Sequence, residues 1–123
     1  MAAYQTRTVI RRTIPPQSPL SIERAGRGSS ILRVVGELDL TNHWLLADEL
    51  LRAEREAAGP LVIDVGAVEF VDAGGLRVLL HAAQRARKRG AHLALKEPGA
   101  LLRRLLNLTG LDRTIVVLPP GSP

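Results

Sequence analysis

FVDAGGLRVLL, residues 70–80, joins the end of an apolar strand to the start of an amphipathic helix through a short turn with one acidic residue and two glycines. Before it, the β-branched run LVIDV at residues 61–65 lies between turn residues on both sides, as expected of a buried strand. After it, leucine and alanine recur with helical spacing at positions 76, 79, 80 and 83. The stretch therefore predicts a strand, a tight turn and a helix over residues 75–89, with function at the turn.

The residues of this turn suggest both a structural and a functional role. Asp72 can cap the helix, because its carboxylate can accept a hydrogen bond from a nearby backbone N–H and suits the positive end of the helix dipole. Gly74 and Gly75 each cost the helix about 1 kcal/mol relative to alanine. That cost favours a specific purpose for the glycines: close packing, an anion-binding nest or a surface for a partner.

The composition predicts one domain without disulfides, thiolate metal sites or a membrane span. The chain has 123 residues, 46% of them hydrophobic, and no cysteine. No uninterrupted apolar segment reaches the roughly 18 residues of a spanning helix, and the polar, basic first twelve residues do not resemble a secretory signal. We therefore expect a cytoplasmic protein.

The distribution of charge argues against a nucleic-acid partner, although the net charge is +5. Residues 1–30 carry five arginines and one glutamate, whereas the remaining 93 residues carry 12 basic and 11 acidic side chains. The one basic cluster of the body, residues 85–89, lies at the predicted C-terminal end of a helix, where cations favour the dipole. Aromatic residues make up only 2% of the chain and cannot provide platforms for base stacking.

Reading along the chain predicts a flexible basic leader over 1–19, an α/β domain over 20–118 and a disordered tail over 119–123. Within the domain the predicted order is ββαβαβαβ, which implies a mixed β-sheet of about five strands with helices packed on it. The predicted strands are 20–23, 31–36, 61–65, 92–96 and 115–118, with a turn at 25–30 after the first. Three helices are predicted: the first from a cap at Thr41 or Asn42 to about Ala58, the second over 75–89, and the third from Pro98 to Gly110. The first helix is predicted to bury a stripe of four residues: Leu46, Leu50, Ala53 and Ala57.

Catalytic and metal-binding patterns are absent from the sequence. His43, His81 and His92 fall on three different predicted elements and lack the spacing of a helical metal pair. Glu37 and Asp39 are two apart and would share a face only if the strand persists, which is weak support for a carboxylate pair. No P-loop, nucleophile elbow or dinucleotide fingerprint occurs. We therefore expect no enzyme activity, no metal and no cofactor.

Three motifs in order point to a family. They are GELD at 36–39, VDAGGL at 71–76 and LTGLD at 108–112. Together they resemble the STAS domain of bacterial anti-sigma factor antagonists, over roughly residues 20–118. The resemblance implies a small α/β domain that binds an anti-sigma factor with an ATP-binding, serine-kinase fold and so controls transcription that depends on a sigma factor. The choice between monomer and homodimer stays open.

The chain departs from the family at the modified position. The family's pattern is similar to Asp-Ser-Ser-Gly-Leu, and its kinase partner phosphorylates, usually, the second serine. Here Ala73 and Gly74 stand at the two serine positions, so the family's phosphoserine position, Gly74, carries no hydroxyl. The resemblance then implies either constitutive binding or another form of regulation. Thr41 is the nearest candidate hydroxyl, with a helix cap as its simpler role.

The predicted partner-binding surface combines both strand-to-helix turns. It comprises Glu37, Asp39, Thr41, Asp72, Ala73, Gly74, Gly75, Leu76 and Arg77. One alternative is a non-phosphorylatable STAS scaffold subunit of a signalling or lipid-transport complex. Another is a nucleic-acid or anionic-membrane binder that uses the arginine leader, which the near-neutral domain makes the weakest of the three.

Overall fold

The computed structural model describes residues 10–14, 19–24, 30–57 and 59–121, which contain six strands and three α-helices. For 10–14 the description covers the backbone alone. The elements are β1 Ile10–Ile14, β2 Leu20–Arg24, β3 Ile31–Leu38, α1 His43–Glu56, β4 Leu61–Val71, α2 Ala73–Lys88, β5 Leu93–Lys96, α3 Ala100–Thr109 and β6 Val116–Val117.

The strands form one mixed sheet in the order β1-β2-β3-β4-β5-β6. β1, β2 and β3 pair antiparallel, whereas β3 to β6 pair parallel. Each parallel neighbour is reached through a helix, because a parallel pair needs a crossover connection. This arrangement confirms the predicted α/β class with a mixed sheet and helices packed on it.

One hydrophobic core joins the sheet to the helices. Alternate residues of β2, of most of β3 and of the first half of β4 are buried, so one face of the sheet is covered. Leu46 and Leu50 of α1 and Leu79 of α2 are fully enclosed in the same cluster, which α3 joins through Leu106. Ala57, the last residue of the predicted stripe of α1, packs against the core just after the helix ends.

Ion pairs fix α1 against its neighbours. Glu54 of α1 accepts from Arg85 of α2 through both carboxylate oxygens, at 2.8–3.1 Å, and from Arg89 at 3.2 Å. Arg24 at the end of β2 is buried and donates to Glu56 at 2.6 Å. Part of the basic cluster at 85–89 therefore ties two helices together.

The main difference from the sequence prediction lies in the leader. Residues 10–14 form β1, which pairs antiparallel with β2 in the register Ile10↔Arg24 to Ile14↔Leu20. This short run is rich in β-branched residues, which favour strands, but the prolines that follow it in the sequence led to its assignment to the leader. The rest of the predicted leader before residue 19, the turn at 25–29 and residues 122–123 of the predicted tail lie outside the described residues. Gly121 of that tail donates its N–H to Glu97 Oε1 at 3.3 Å.

β4 also exceeds its prediction, because it continues past Gly66 to Val71. The glycine had marked the expected end of the strand. Its N–H donates to Asp64 Oδ1 at 3.0 Å, and pairing with β3 resumes at Ala67. The helices differ from prediction only at their ends: α1 stops at Glu56 and α2 already begins at Ala73.

We expect Gly36→Ala to lower the free energy of unfolding by about 2 kcal/mol or more, because Gly36 has a φ of +114° and a Cβ there would lie 2.2 Å from the Pro19 carbonyl oxygen. Urea denaturation measures the loss. Gly99→Ala is the matched control, since nothing lies within 4 Å of its Cβ, and should change stability by less than about 1 kcal/mol. Equal losses in the two variants would contradict the constraint at Gly36.

Candidate functional site

The turns after β3 and β4 lie side by side at one edge of the sheet. β3 and β4 are parallel neighbours, with Leu38 opposite Val71 at their carboxyl ends, so the two chains leave the sheet together. The Asp72 N–H donates to the Leu38 carbonyl at 3.1 Å and extends the pairing by one residue. Both helices that follow, α1 and α2, therefore begin at the same place.

Asp72 connects the two turns through its two carboxylate oxygens. Oδ1 accepts from the Gly75 N–H at 3.1 Å and caps α2, as predicted. Oδ2 accepts from the Leu40 N–H at 2.9 Å in the turn before α1. The residue thus caps one helix and fixes the approach to the other, which the sequence alone does not reveal.

The turn between β3 and α1 is organised by its own polar side chains. Asp39 Oδ1 accepts from both the N–H and the hydroxyl of Thr41, at 2.9 and 2.6 Å. The cap position belongs to buried Asn42, whose side chain accepts from the Asp39 N–H and donates to the Glu37 carbonyl instead of capping α1. Neither predicted cap residue, Thr41 or Asn42, makes a side-chain cap hydrogen bond. Because β3 ends at Leu38, Glu37 and Asp39 form no carboxylate pair along the strand.

The two glycines of the α2 turn allow different close approaches. A Cβ at Gly75 would lie 2.8 Å from Leu38 Cγ and 3.1 Å from Val71 Cγ1, so Gly75 lets α2 pack onto the sheet. A Cβ at Gly74 would lie 2.8 Å from Cδ2 of His43, the first residue of α1. Gly74 therefore lets the beginnings of the two helices approach each other.

A groove of about 600 Å³ runs between α1 and α2 beside Gly74. One wall, which we call the α1 wall, is formed by α1 and the turn before it and carries solvent-exposed apolar side chains: Leu40 of the turn is 74% exposed, and Trp44 and Leu51 of α1 are 53% and 40% exposed. Its α2 wall is formed by Ala73, Gly74, Arg77, Val78 and His81. We call this feature the α1–α2 groove. Three large apolar side chains in one open depression are typical of an interaction surface.

The charges that line the α1–α2 groove are unequally neutralised. Asp48 accepts from Arg52 at 3.0 Å. Arg77, by contrast, is exposed and makes no ion pair among the residues that the structure describes. Within the described part of the chain, the groove therefore has a guanidinium without an ion-pair partner beside its apolar wall.

The structure brings most of the predicted site residues together, but not all of them face the solvent. Ala73, Gly74 and Arg77 line the groove, while Asp39, Thr41 and Asp72 build the turns at its end. Gly75 is buried, and Leu76, which is 8% exposed, belongs to the core. The Glu37 carbonyl takes part in the turn, whereas its side chain makes no hydrogen bond or ion pair within the described part of the chain.

Sequence reasoning missed the α1 wall of the groove. A signal was present, because positions 40, 44, 47 and 51 carry Leu, Trp, Ala and Leu at helical spacing, beside the stripe that faces the core. His43, for which the sequence indicated no metal-binding role, is half-buried against Gly74.

The described residues contain no cluster of three or more His, Asp or Glu side chains that could hold a metal ion. His43 and His81 lie on α1 and α2, and His92 precedes β5.

Among the residues that the structure describes, no helix is long and apolar enough to cross a membrane.

Comparison with known proteins identifies relatives over most of the chain. Residues 22–119 match the sequence model of the family described as "Mlab, STAS domain". The anti-sigma-F factor antagonist RsfB of Mycobacterium tuberculosis is 30% identical over 87 residues, which cover 71% of this chain and 70% of RsfB.

Solved structures share the fold. A crystal structure of an anti-sigma factor antagonist from Mycobacterium paratuberculosis superposes with a TM-score of 0.67 at 24% identity and covers 93% of this chain and 88% of its own. Unphosphorylated SpoIIAA, an anti-sigma factor antagonist, superposes with a TM-score of 0.60 at 11% identity and covers 93% of this chain and 90% of its own.

We expect Asp72→Ala to lower the free energy of unfolding by about 1–2 kcal/mol and to speed amide hydrogen exchange at Leu40 and Gly75, whose N–H groups lose their acceptor. Asp72→Asn should lose less, because one acceptor oxygen remains. Glu69→Ala, which removes an exposed carboxylate near the same end of β4, is the control. Unchanged protection at Leu40 and Gly75 in Asp72→Ala would contradict the bridge.

Proposed function

The chain belongs to the STAS domain family, and from that premise we propose that it is an anti-sigma factor antagonist that binds an anti-sigma factor through the α1–α2 groove. Binding sequesters the anti-sigma factor and so permits transcription by the sigma factor it would inhibit. The observation that carries the proposal is the exposed apolar wall of Leu40, Trp44 and Leu51 beside the start of α2. The names of RsfB and of the solved antagonists support the same role.

The chemistry of the groove defines what the partner offers. Trp44 and its apolar neighbours are suited to aliphatic or aromatic side chains, because burial of such a wall is the main favourable term in association. Arg77 on the opposite wall is suited to a carboxylate, as it has no ion pair in the described structure. The proposed contact is therefore an apolar segment of the anti-sigma factor with an acidic residue on its flank.

Regulation by phosphate at the start of α2 has no chemical basis in this chain, since neither Ala73 nor Gly74 has a hydroxyl. A phosphoserine there would add nearly two negative charges beside Asp72. We propose that the partner has the ATP-binding kinase fold that the family resemblance implies, and that this chain stays competent to bind it in the presence of ATP.

A scaffold role is the second proposal, because a module that stays assembled needs no release signal at positions 73 and 74. Size-exclusion chromatography with light scattering separates the two. A persistent high-order assembly of the purified chain supports the scaffold, while a monomer or dimer that binds an anti-sigma factor supports the antagonist.

We expect Trp44→Ala to weaken binding of the cognate anti-sigma factor by roughly 30-fold or more, because a central aromatic residue typically contributes at least about 2 kcal/mol to an interface. Calorimetry with each purified anti-sigma factor of the source organism measures the affinity. Leu108→Ala is the matched control, since Leu108 of α3 is 70% exposed and lies outside the groove. Equal effects of the two substitutions would place the interface elsewhere.

We expect incubation with ATP and the bound anti-sigma factor to leave the mass of the peptide spanning residues 70–76 unchanged. Intact-mass and peptide mass spectrometry measure this, with Thr41→Ala as the comparison variant. Phosphate on Thr41, whose hydroxyl is exposed and held by Asp39, would contradict unregulated binding and assign regulation to the neighbouring turn.

A further inference from the structure

The imidazole of His43 fills the space in which a side chain at position 74 would begin. A Cβ placed on Gly74 would lie 2.8 Å from His43 Cδ2 and 3.2 Å from His43 Nε2. In folded proteins a Cβ atom essentially never lies within 2.8 Å of a heavy atom from a residue that is not its neighbour in the chain. A residue other than glycine at position 74 therefore requires the ring to move.

The ring of His43 has one buried nitrogen and one nitrogen beside Gly74. His43 is the first residue of α1, and its backbone N–H donates to the Asp39 carbonyl at 2.9 Å. Its Nδ1 is buried and has no hydrogen-bond partner among the described residues, whereas the Nε2 side of the ring adjoins Gly74 and lines the α1–α2 groove. The polar atom that a docked protein can reach is thus Nε2.

We propose that His43 is a specificity-determining residue of the α1–α2 groove, and that the lack of a side chain at Gly74 leaves room for its imidazole at the surface. The inference rests on the proposed function, because it concerns recognition at the same groove. Where a residue at position 74 would present its own side chain to the partner, this chain presents the ring edge of His43. An anti-sigma factor that binds here recognises the imidazole edge together with Trp44 and Arg77.

This role explains the glycine in the first turn of α2. Glycine costs a helix about 1 kcal/mol relative to alanine, and φ at Gly74 is not in the left-handed region, so backbone conformation does not require it. The present position of the His43 ring accounts for it, since the methyl group of alanine would lie 2.8 Å from Cδ2 and the ring would have to shift.

The first test needs no partner. Proton–carbon NMR spectra of the histidine side chains should show displaced His43 resonances in Gly74→Ala and unchanged resonances for His92, which lies before β5. Gly99→Ala, the same substitution at a helix start with open space, should leave His43 unchanged. Unchanged His43 signals in Gly74→Ala would overturn the proposal whatever the chain binds.

The second test is a double-mutant cycle on the affinity for the purified cognate anti-sigma factor. His43→Ala and Gly74→Ala should each weaken binding roughly tenfold, and the double variant should be no weaker than either single one, because both substitutions act through one ring. His92→Ala should bind as the parent does. Strict additivity, or full affinity of His43→Ala, would overturn the proposal.

The two proposals fail in different ways. If the parent chain binds none of the anti-sigma factors, the proposed function is wrong, and the recognition role of His43 falls with it. If the parent binds and Trp44→Ala weakens the complex while His43→Ala does not, the proposed function stands and only the role of His43 is wrong.

Discussion

The carboxylate of Asp72 is the contact on which the geometry of the site depends. One oxygen caps α2 at Gly75, and the other holds the Leu40 N–H before α1, so a single side chain fixes the beginnings of two helices relative to each other. The parallel pairing of β3 and β4 makes this possible, because it brings both turns to one edge of the sheet. The groove between the helices follows from that bridge, since its walls start where Asp72 holds them.

The two adjacent glycines at the start of α2 allow close approaches to two different parts of the structure. Gly75 faces inward and allows α2 to lie against Leu38 and Val71 of the sheet, whereas Gly74 faces His43 of the neighbouring helix. Their combined helix-propensity cost, about 2 kcal/mol, is comparable to the roughly 1.5–3 kcal/mol gained by burying one leucine side chain such as Leu79 of the same helix. The sequence presents them as a pair, and only the tertiary structure separates a packing role from a surface role.

The local pattern was sufficient to predict the strand, turn and helix around Asp72, because alternating burial, a capping carboxylate and helical spacing all act within a few residues. The local pattern wrongly predicted that β4 ends at Gly66. The strand continues because the Gly66 N–H has an acceptor on the Asp64 side chain and pairing with β3 resumes after it. The local pattern also failed at β1, whose pairing with β2 is a long-range property. The groove was missed because only one apolar stripe of α1 was sought, and the contact between His43 and Gly74 joins two elements that are 31 positions apart.

Trp44 is the only tryptophan of the chain, and it lies half-exposed on the wall of the α1–α2 groove. A molecule without tryptophan that enters the groove would remove water from the indole and change its fluorescence, with no background from a second indole of this chain. The chain thus contains a built-in optical reporter at its candidate interface, so occupancy could be followed on the unlabelled protein at concentrations too low for calorimetry.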